Sequence, residues 1–186
     1  MKDLTAIDAS KIRISEALIE LMRSQDFHSV TITDLVEQAR ISRATFYRHF
    51  DSKEAVLHYY FDRMIERYHI ADHLAVGSVD DYYRSIKFVL DVIKKNKLTL
   101  SIVVRANFGS IILKYIDERY TMPYRNAGAD KIPLYVYIFS GGIYNVVIKW
   151  LEEDCQTSAE ELARSIVAVT PCEFIRGENP INVNEG

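Results

Sequence analysis

Apolar residues recur along this chain at intervals of three and four, and that spacing constrains the fold more than any other feature of the sequence. Ile14, Ala17, Leu18, Leu21 and Met22 follow the i, i+3, i+4, i+7, i+8 pattern that lays one apolar stripe along a helix. Lys11, Arg13, Glu16, Glu20 and Arg23 fall on its far side. Glycine and proline, which punctuate sheets and turns, number only seven and four in 186 residues. The expectation is an all-α protein. Its 48% hydrophobic content suffices for a real core in one domain, or in a small domain joined to a larger one.

The first helix is predicted over about residues 8–24. Thr31-Ile32-Thr33-Asp34 reads as a capping box, the threonine hydroxyl accepting from the aspartate amide while the carboxylate reaches back. Ile32, Leu35, Val36 and Ala39 then form the buried stripe of a second helix. Ser42 is a good N-cap for a short third helix, in which Phe46 and Phe50 face the core and Arg43, Ala44, Thr45, Tyr47 and Arg48 stay outside. Asp51-Ser52-Lys53-Glu54 starts a fourth helix running to about residue 70, with Leu57, Phe61, Met64, Ile65 and Tyr68 inward. Five more helices are predicted at about 79–95, 97–105, 107–121, 131–153 and 158–169, with 123–130 a loop. The domains read as 1–53, a fourth helix 53–70 that connects, 71–170, and a loosely ordered tail 171–186.

A net charge of −3 argues at first against nucleic acid, because affinity for DNA comes largely from neutralising phosphates. The distribution reverses that argument. Residues 1–53 carry eight Lys/Arg against eight Asp/Glu, so the whole negative excess lies beyond them. Within 40–53, Arg40, Arg43, Arg48 and Lys53 face only Asp51. Two short helices joined by a tight turn and braced by a third can push the second of them into a major groove. Arg43 suits a bidentate pair with guanine, Thr45 a base edge or thymine methyl, and Ala44 a close approach. Tyr47, His49 and Lys53 suit phosphates, Lys53 lying in the first turn of the fourth helix where amides favour an anion. Taken singly, each of these residues reads equally well as aromatic core or solvated charge. Their combination within 25 residues is what carries the reading.

The stretch V-T-I-T-D-L-V-E-Q-A-R-I-S-R-A-T-F-Y-R-H-F-D-S-K-E-A-V-L resembles the N-terminal signature of TetR-family regulators. There a T-x-x-D-I-A-like helix precedes a T-[LIF]-Y-x-H-F recognition helix and an S-K-E cap; the likeness extends over residues 10–60. It implies a three-helix helix-turn-helix DNA-binding domain followed by a helical ligand-binding and dimerisation domain. It also implies that Thr33, Arg43, Ala44, Thr45, Tyr47, Arg48, His49 and Lys53 contact DNA. The capping residues Thr31 and Ser42 join that set. One position departs from the pattern: Arg40 stands at the turn usually occupied by glycine, so it must accept a positive φ or shift the turn.

The resemblance continues weakly in K-I-P-L-Y-V-Y-I-F-S-G-G-I-Y-N-V-V-I-K-W-L and T-S-A-E-E-L-A, which are similar to the last two helices of one subgroup. Residues 134–151 are apolar on nearly every side, so that helix must be covered on opposite faces. Gly141 and Gly142 invite close helix approach, and with Leu162, Ile166 and Val169 they suggest a four-helix interface, two helices from each protomer of a homodimer. A buried hairpin within a monomer is the alternative. For a ligand, Arg105 ends the apolar run L-T-L-S-I-V-V-R, and a buried arginine needs a partner. The expectation is an anionic or strongly polar ligand there, walled by Phe108, Tyr115, Tyr137 and Tyr144. The bland alternatives are an arginine emerging beside Asn107 and tyrosines that simply fill the core.

Other classes are less well supported. No phosphate-binding glycine loop, zinc-protease motif or nucleophile elbow occurs, so no enzyme is expected. Glu66, His69 and His73 share a face but lack a third strong ligand, and no metal or cofactor is expected. Cys155 and Cys172 have neither metal nor redox spacing and read as packing or surface residues. No run approaches about 18 uninterrupted apolar residues and MKDLTAIDASKIRIS has no apolar signal core, so a cytoplasmic chain without membrane contact is expected. The resulting expectation is a ligand-responsive repressor that binds a double-stranded operator as a homodimer. An activator or coactivator answering a protein partner is the alternative, and a helical protein-interaction module without DNA binding is the reading from a different class.

Overall fold

The structure, a computed structural model, describes residues 6–70, 78–126, 128–172 and Ile175. Its contacts divide the chain into two compact units, Met1–Tyr68 and His69–Gly186. No strand occurs among the described residues.

In the first unit α1 (Ala6–Ser24), α2 (Ile32–Gln38), α3 (Arg43–His49) and α4 (Lys53–Arg67) enclose one core. Ile14, Leu18 and Met22 of α1 are buried, as are Leu35 and Val36 of α2, Phe46 of α3, and Val56, Leu57 and Phe61 of α4. Helices this short are marginal alone, so packing and caps must hold them. Thr31 caps α2 with the full box: its hydroxyl accepts from the Asp34 amide at 3.1 Å while the Asp34 carboxylate accepts from the Thr31 amide at 2.9 Å. Ser42 and Ser52 cap α3 and α4 by accepting from the amides of Thr45 and Ala55.

The turn between α2 and α3 resolves the question raised by Arg40, which takes a positive φ of 52°. The Ile41 amide reaches back to the Val36 carbonyl at 3.0 Å and the Arg40 amide to Glu37 at 3.1 Å. These are the paired bonds of a Schellman motif, which usually places glycine at the left-handed residue.

The second unit comprises α5 (Val79–Lys95), α6 (Lys97–Arg105), α7 (Ser110–Asn126), α8 (Leu134–Glu152) and α9 (Ala159–Val169). Helix α9 packs on α5, and α8 packs on α6 and α7. At its centre the hydroxyls of Tyr82 (α5) and Tyr120 (α7) share a hydrogen bond, and Thr170 extends the chain to the Ile166 carbonyl at 2.7 Å. Burial pushes both tyrosines above the usual phenol range, Tyr120 well above it.

One expectation changes here. Helix α7 does not stop before Pro123 but continues to Asn126, taking Tyr124 and Arg125 with it. Proline removes one amide donor without unwinding a helix whose buried stripe, Ile112, Tyr120 and Tyr124, persists beyond it. Helix α8 also contains an 18-residue window of mean hydropathy 1.3, long and apolar enough by length and composition to cross a membrane. A third of that window is buried inside the chain. The window is not an uninterrupted apolar run, since Ser140, Asn145 and Lys149 fall within the helix.

Candidate nucleic-acid interface

Helix α3 is held from behind and open in front. Phe46 is fully buried and Phe50, the helix C-cap, is 6% exposed, their rings 6.2 Å apart. That anchoring turns Arg43, Ala44, Tyr47 and Arg48 into solvent, Tyr47 at 60% exposure. Thr45 and His49 are half-buried at the edges of the face. Arg48 and His49 lie in the last turn, where a cation suits the helix dipole.

The face is partly pre-positioned. The Arg43 guanidinium donates to the Thr33 hydroxyl across the α2–α3 corner. The Thr45 hydroxyl is 2.9 Å from that of Ser42. Thr31 and Ser42 are both engaged in caps, so in this structure they order the helix ends that carry the face.

Lys53 is placed otherwise than the sequence suggested. Its ammonium turns inward, donating to the Phe27 carbonyl at 2.8 Å and to the Val30 carbonyl, with its charge 4.6 Å from the centre of the Phe27 ring. A lysine at the first position of α4 has a four-carbon stem long enough to reach the loop after α1. In this structure it ties that loop to α4.

In the second unit the expected ligand and interface residues separate. Arg105 is exposed, a correction to the expectation of a buried cation. Leu100, Val103 and Ala106 carry the buried stripe of α6 and its end, and Arg105 lies off it in the last turn. Phe108 and Tyr115 are half-buried, and Tyr137 is 44% exposed. Tyr144 packs its hydroxyl against Gly109, where a Cβ would lie 2.6 Å away.

Of the interface set, Gly141 is half-buried and Gly142 exposed, and a Cβ on either would meet nothing within 4 Å. Leu134, Ile138 and Val146 of α8 are exposed near them, as is Val169 of α9. Leu162 is half-buried. Ile166 corrects the expectation: it is 3% exposed, because α9 turns Ala159, Ala163 and Ile166 towards the interior on the side that packs on α5. His73 of the metal reading lies outside the described residues.

Sequence reasoning missed one feature of this unit. An open cavity of about 340 Å³ lies along α7, lined by Ser110, Leu113, Lys114, Asp117, Glu118, Thr121 and Arg125 together with Tyr137 of α8. The i, i+3, i+4 spacing of those α7 positions is visible in the sequence. Reading 123–130 as a loop removed Arg125 from the face.

Residues 14–60 match the family model described as "Bacterial regulatory proteins, tetR family". The chain is 28% identical over 123 residues to the Bacillus subtilis (strain 168) protein named "Uncharacterized HTH-type transcriptional regulator YxbF", covering 63% of this chain and 30% of that one. Over 49 residues it is 35% identical to the Lactococcus lactis "HTH-type dhaKLM operon transcriptional activator DhaS", covering 26% of each. The chain thus spans less than a third of the curated relatives it matches. Among solved structures, the transcriptional regulator FadR from Bacillus subtilis in complex with stearoyl-CoA shares the fold with a TM-score of 0.54 at 16% identity, over 90% of this chain and 99% of that one. By the motif, the helix geometry and this match, residues 14–60 are a TetR-family N-terminal domain.

Proposed function

We propose that this chain is a sequence-specific DNA-binding transcriptional regulator that works as a homodimer and changes its hold on DNA when a small molecule binds. The observation that carries the reading is the α3 face, with Arg43, Ala44, Tyr47 and Arg48 exposed on a helix fixed by the Ser42 cap and the Phe46–Phe50 anchor. Arg43 reads a base edge, while Tyr47, Arg48 and His49 hold phosphates and set register. Two-fold symmetry then places the half-sites about one helical turn, ~34 Å, apart. The exposed stripe of Leu134, Ile138, Gly142 and Val146 on α8, with Val169 of α9, supports a second copy as its cover.

Repression is the reading for a regulator whose operator overlaps a promoter. Activation is the second reading, favoured by the likeness of the N-terminal segment to DhaS, which is named an activator. The test is fluorescence anisotropy with duplexes tiled across the DNA flanking its own gene, at several salt concentrations. A footprinted site bound at least about a thousandfold more tightly than unrelated duplex, with affinity falling steeply in salt, is the expected result. A helical interaction module would bind every duplex weakly or none. Reporter expression with the chain present and absent then separates repression from activation.

A further inference from the structure

The face proposed to meet a second copy has two halves that ride on different neighbours. Helix α8, with Leu134 and Ile138 exposed, packs on α6 and α7, whereas α9, with Val169 exposed, packs on α5. If the halves are to form one surface, the position of α8 relative to α9 must be fixed. Apolar contacts supply adhesion without direction. Hydrogen bonds are directional, and a buried set of them is favourable only when each member finds its partner.

Such a set runs through the interior between the two halves. Phe139, the residue after Ile138, stands edge-on to the Tyr120 ring of α7, with centroids 5.1 Å apart. The Tyr120 hydroxyl shares a hydrogen bond with that of Tyr82 on α5. The Tyr82 hydroxyl oxygen in turn lies 3.3 Å from that of Thr170, the residue after Val169. Tyr82, Tyr120 and Thr170 are all buried. Their donors can be ordered. Thr170 has one hydroxyl proton, and the Ile166 carbonyl at 2.7 Å can only accept it. Tyr82 therefore donates to Thr170, and Tyr120 donates to Tyr82. Every proton points the same way, from α7 through α5 to the end of α9, and Tyr82 carries both side-chain links.

We propose that this hydroxyl chain sets the spacing between the α8 and α9 halves of the shared face, with Tyr82 as its positioning residue. The spacing is a property of one chain; its effect on assembly rests on the homodimer reading.

The test is the distance between spin labels at Ile138→Cys and Val169→Cys, measured by double electron-electron resonance. Cys172 is exposed and is replaced by serine, whereas Cys155 is buried out of reach of the label. Dilution with unlabelled chain makes pairs within one chain dominate. The unaltered interior is expected to give one narrow distance distribution. Tyr82→Phe, which removes both links, should broaden or shift it, and so should Thr170→Val, which removes the second. Combining the two should change it no further, because the chain is already broken. Thr170→Ser keeps the hydroxyl and should leave the distribution narrow. Leu90→Val thins the core of α5 without touching a hydroxyl, and should lower the melting temperature while leaving the distance alone. An unaltered distance in Tyr82→Phe, or an equal change in Leu90→Val, would overturn the positioning role.

Sedimentation of the unlabelled variants reads the consequence. Tyr82→Phe should self-associate at least about tenfold more weakly than the unaltered chain, on the scale of coupling between two sites. Equal self-association of the two would overturn the link from spacing to assembly. A chain that is monomeric before any substitution counts against the homodimer reading, and the label distance still decides whether Tyr82 positions α9.

Discussion

Arg43 and Thr33 meet across the turn between α2 and α3, the guanidinium donating to the hydroxyl. The arginine expected to read a base is therefore oriented by the preceding helix before any DNA arrives. Ordering a long side chain in advance lowers the entropy lost on binding.

That contact sets the first prediction. Arg43→Ala should lose about 1–3 kcal/mol at specific sites and relax preference at one base pair. Thr33→Val keeps the charge but frees the guanidinium, and should cost less than Arg43→Ala. The two effects should not add, because both act through one contact. Anisotropy titrations on the operator and on single-base variants measure all three. Unchanged affinity and selectivity in Arg43→Ala would sink the base-reading role.

Lys53 should now behave as a tie within the fold. Lys53→Met leaves the Phe27 and Val30 carbonyls short of a donor, and about 1–3 kcal/mol of stability should go with it. Urea denaturation reads this directly. A variant with unaltered stability but a salt slope reduced by about one unit would restore the phosphate role instead.

The capping box predicts a response to acid. Hydrogen bonds from the Thr31 amide and hydroxyl hold the Asp34 carboxyl below the usual aspartate range. A group whose folded value is lowered adds stability above its unfolded value, about 3.9, and loses it as pH falls through the folded value. Thermal melts from about pH 6 downward should show that loss, and Asp34→Asn should remove this component from the acid limb. Parallel melting curves for the two proteins at every pH would contradict it.

Assembly can be separated from folding at Gly142. A Cβ there meets nothing within 4 Å of the same chain and the position is exposed, so Gly142→Leu should fold normally. It should nevertheless weaken self-association and operator binding together, because it stands on the face proposed to be shared. Sedimentation velocity compares the variants. A wild-type chain that sediments as a monomer at concentrations where it binds its operator would refute the homodimer.

How much was legible in the sequence depended on whether the signal was local. The caps at Thr31, Ser42 and Ser52 were readable because a cap is a relation between residues three apart, and the boundaries of α2, α3 and α4 follow from them. The exposed face of α3 was readable because Phe46 and Phe50 fix its rotation. The inward tie of Lys53 was not legible because its partners, Phe27 and Val30, lie 26 and 23 residues away and are backbone carbonyls, which carry no side-chain signature. Arg105 and Ile166 were misjudged for a related reason. An apolar run says that a helix is buried, but which flank meets a neighbour is decided by α5, α6 and α8 together. Pro123 misled by a rule that local chemistry obeys and tertiary packing overrode.

The left-handed Arg40 has one more consequence, which concerns the balance between stability and charge. A non-glycine residue at φ 52° carries strain on the order of 1 kcal/mol, yet glycine there would give the unfolded chain a comparable freedom to lose. The two terms nearly cancel, so Arg40→Gly should leave the melting temperature almost where it was. What would disappear is a positive charge at the corner from which α3 starts, and with it about one unit of the salt dependence of DNA binding. The turn therefore tolerates a cation at a position where most chains use glycine, and it extends electrostatic attraction to the backbone hinge of the DNA-binding unit.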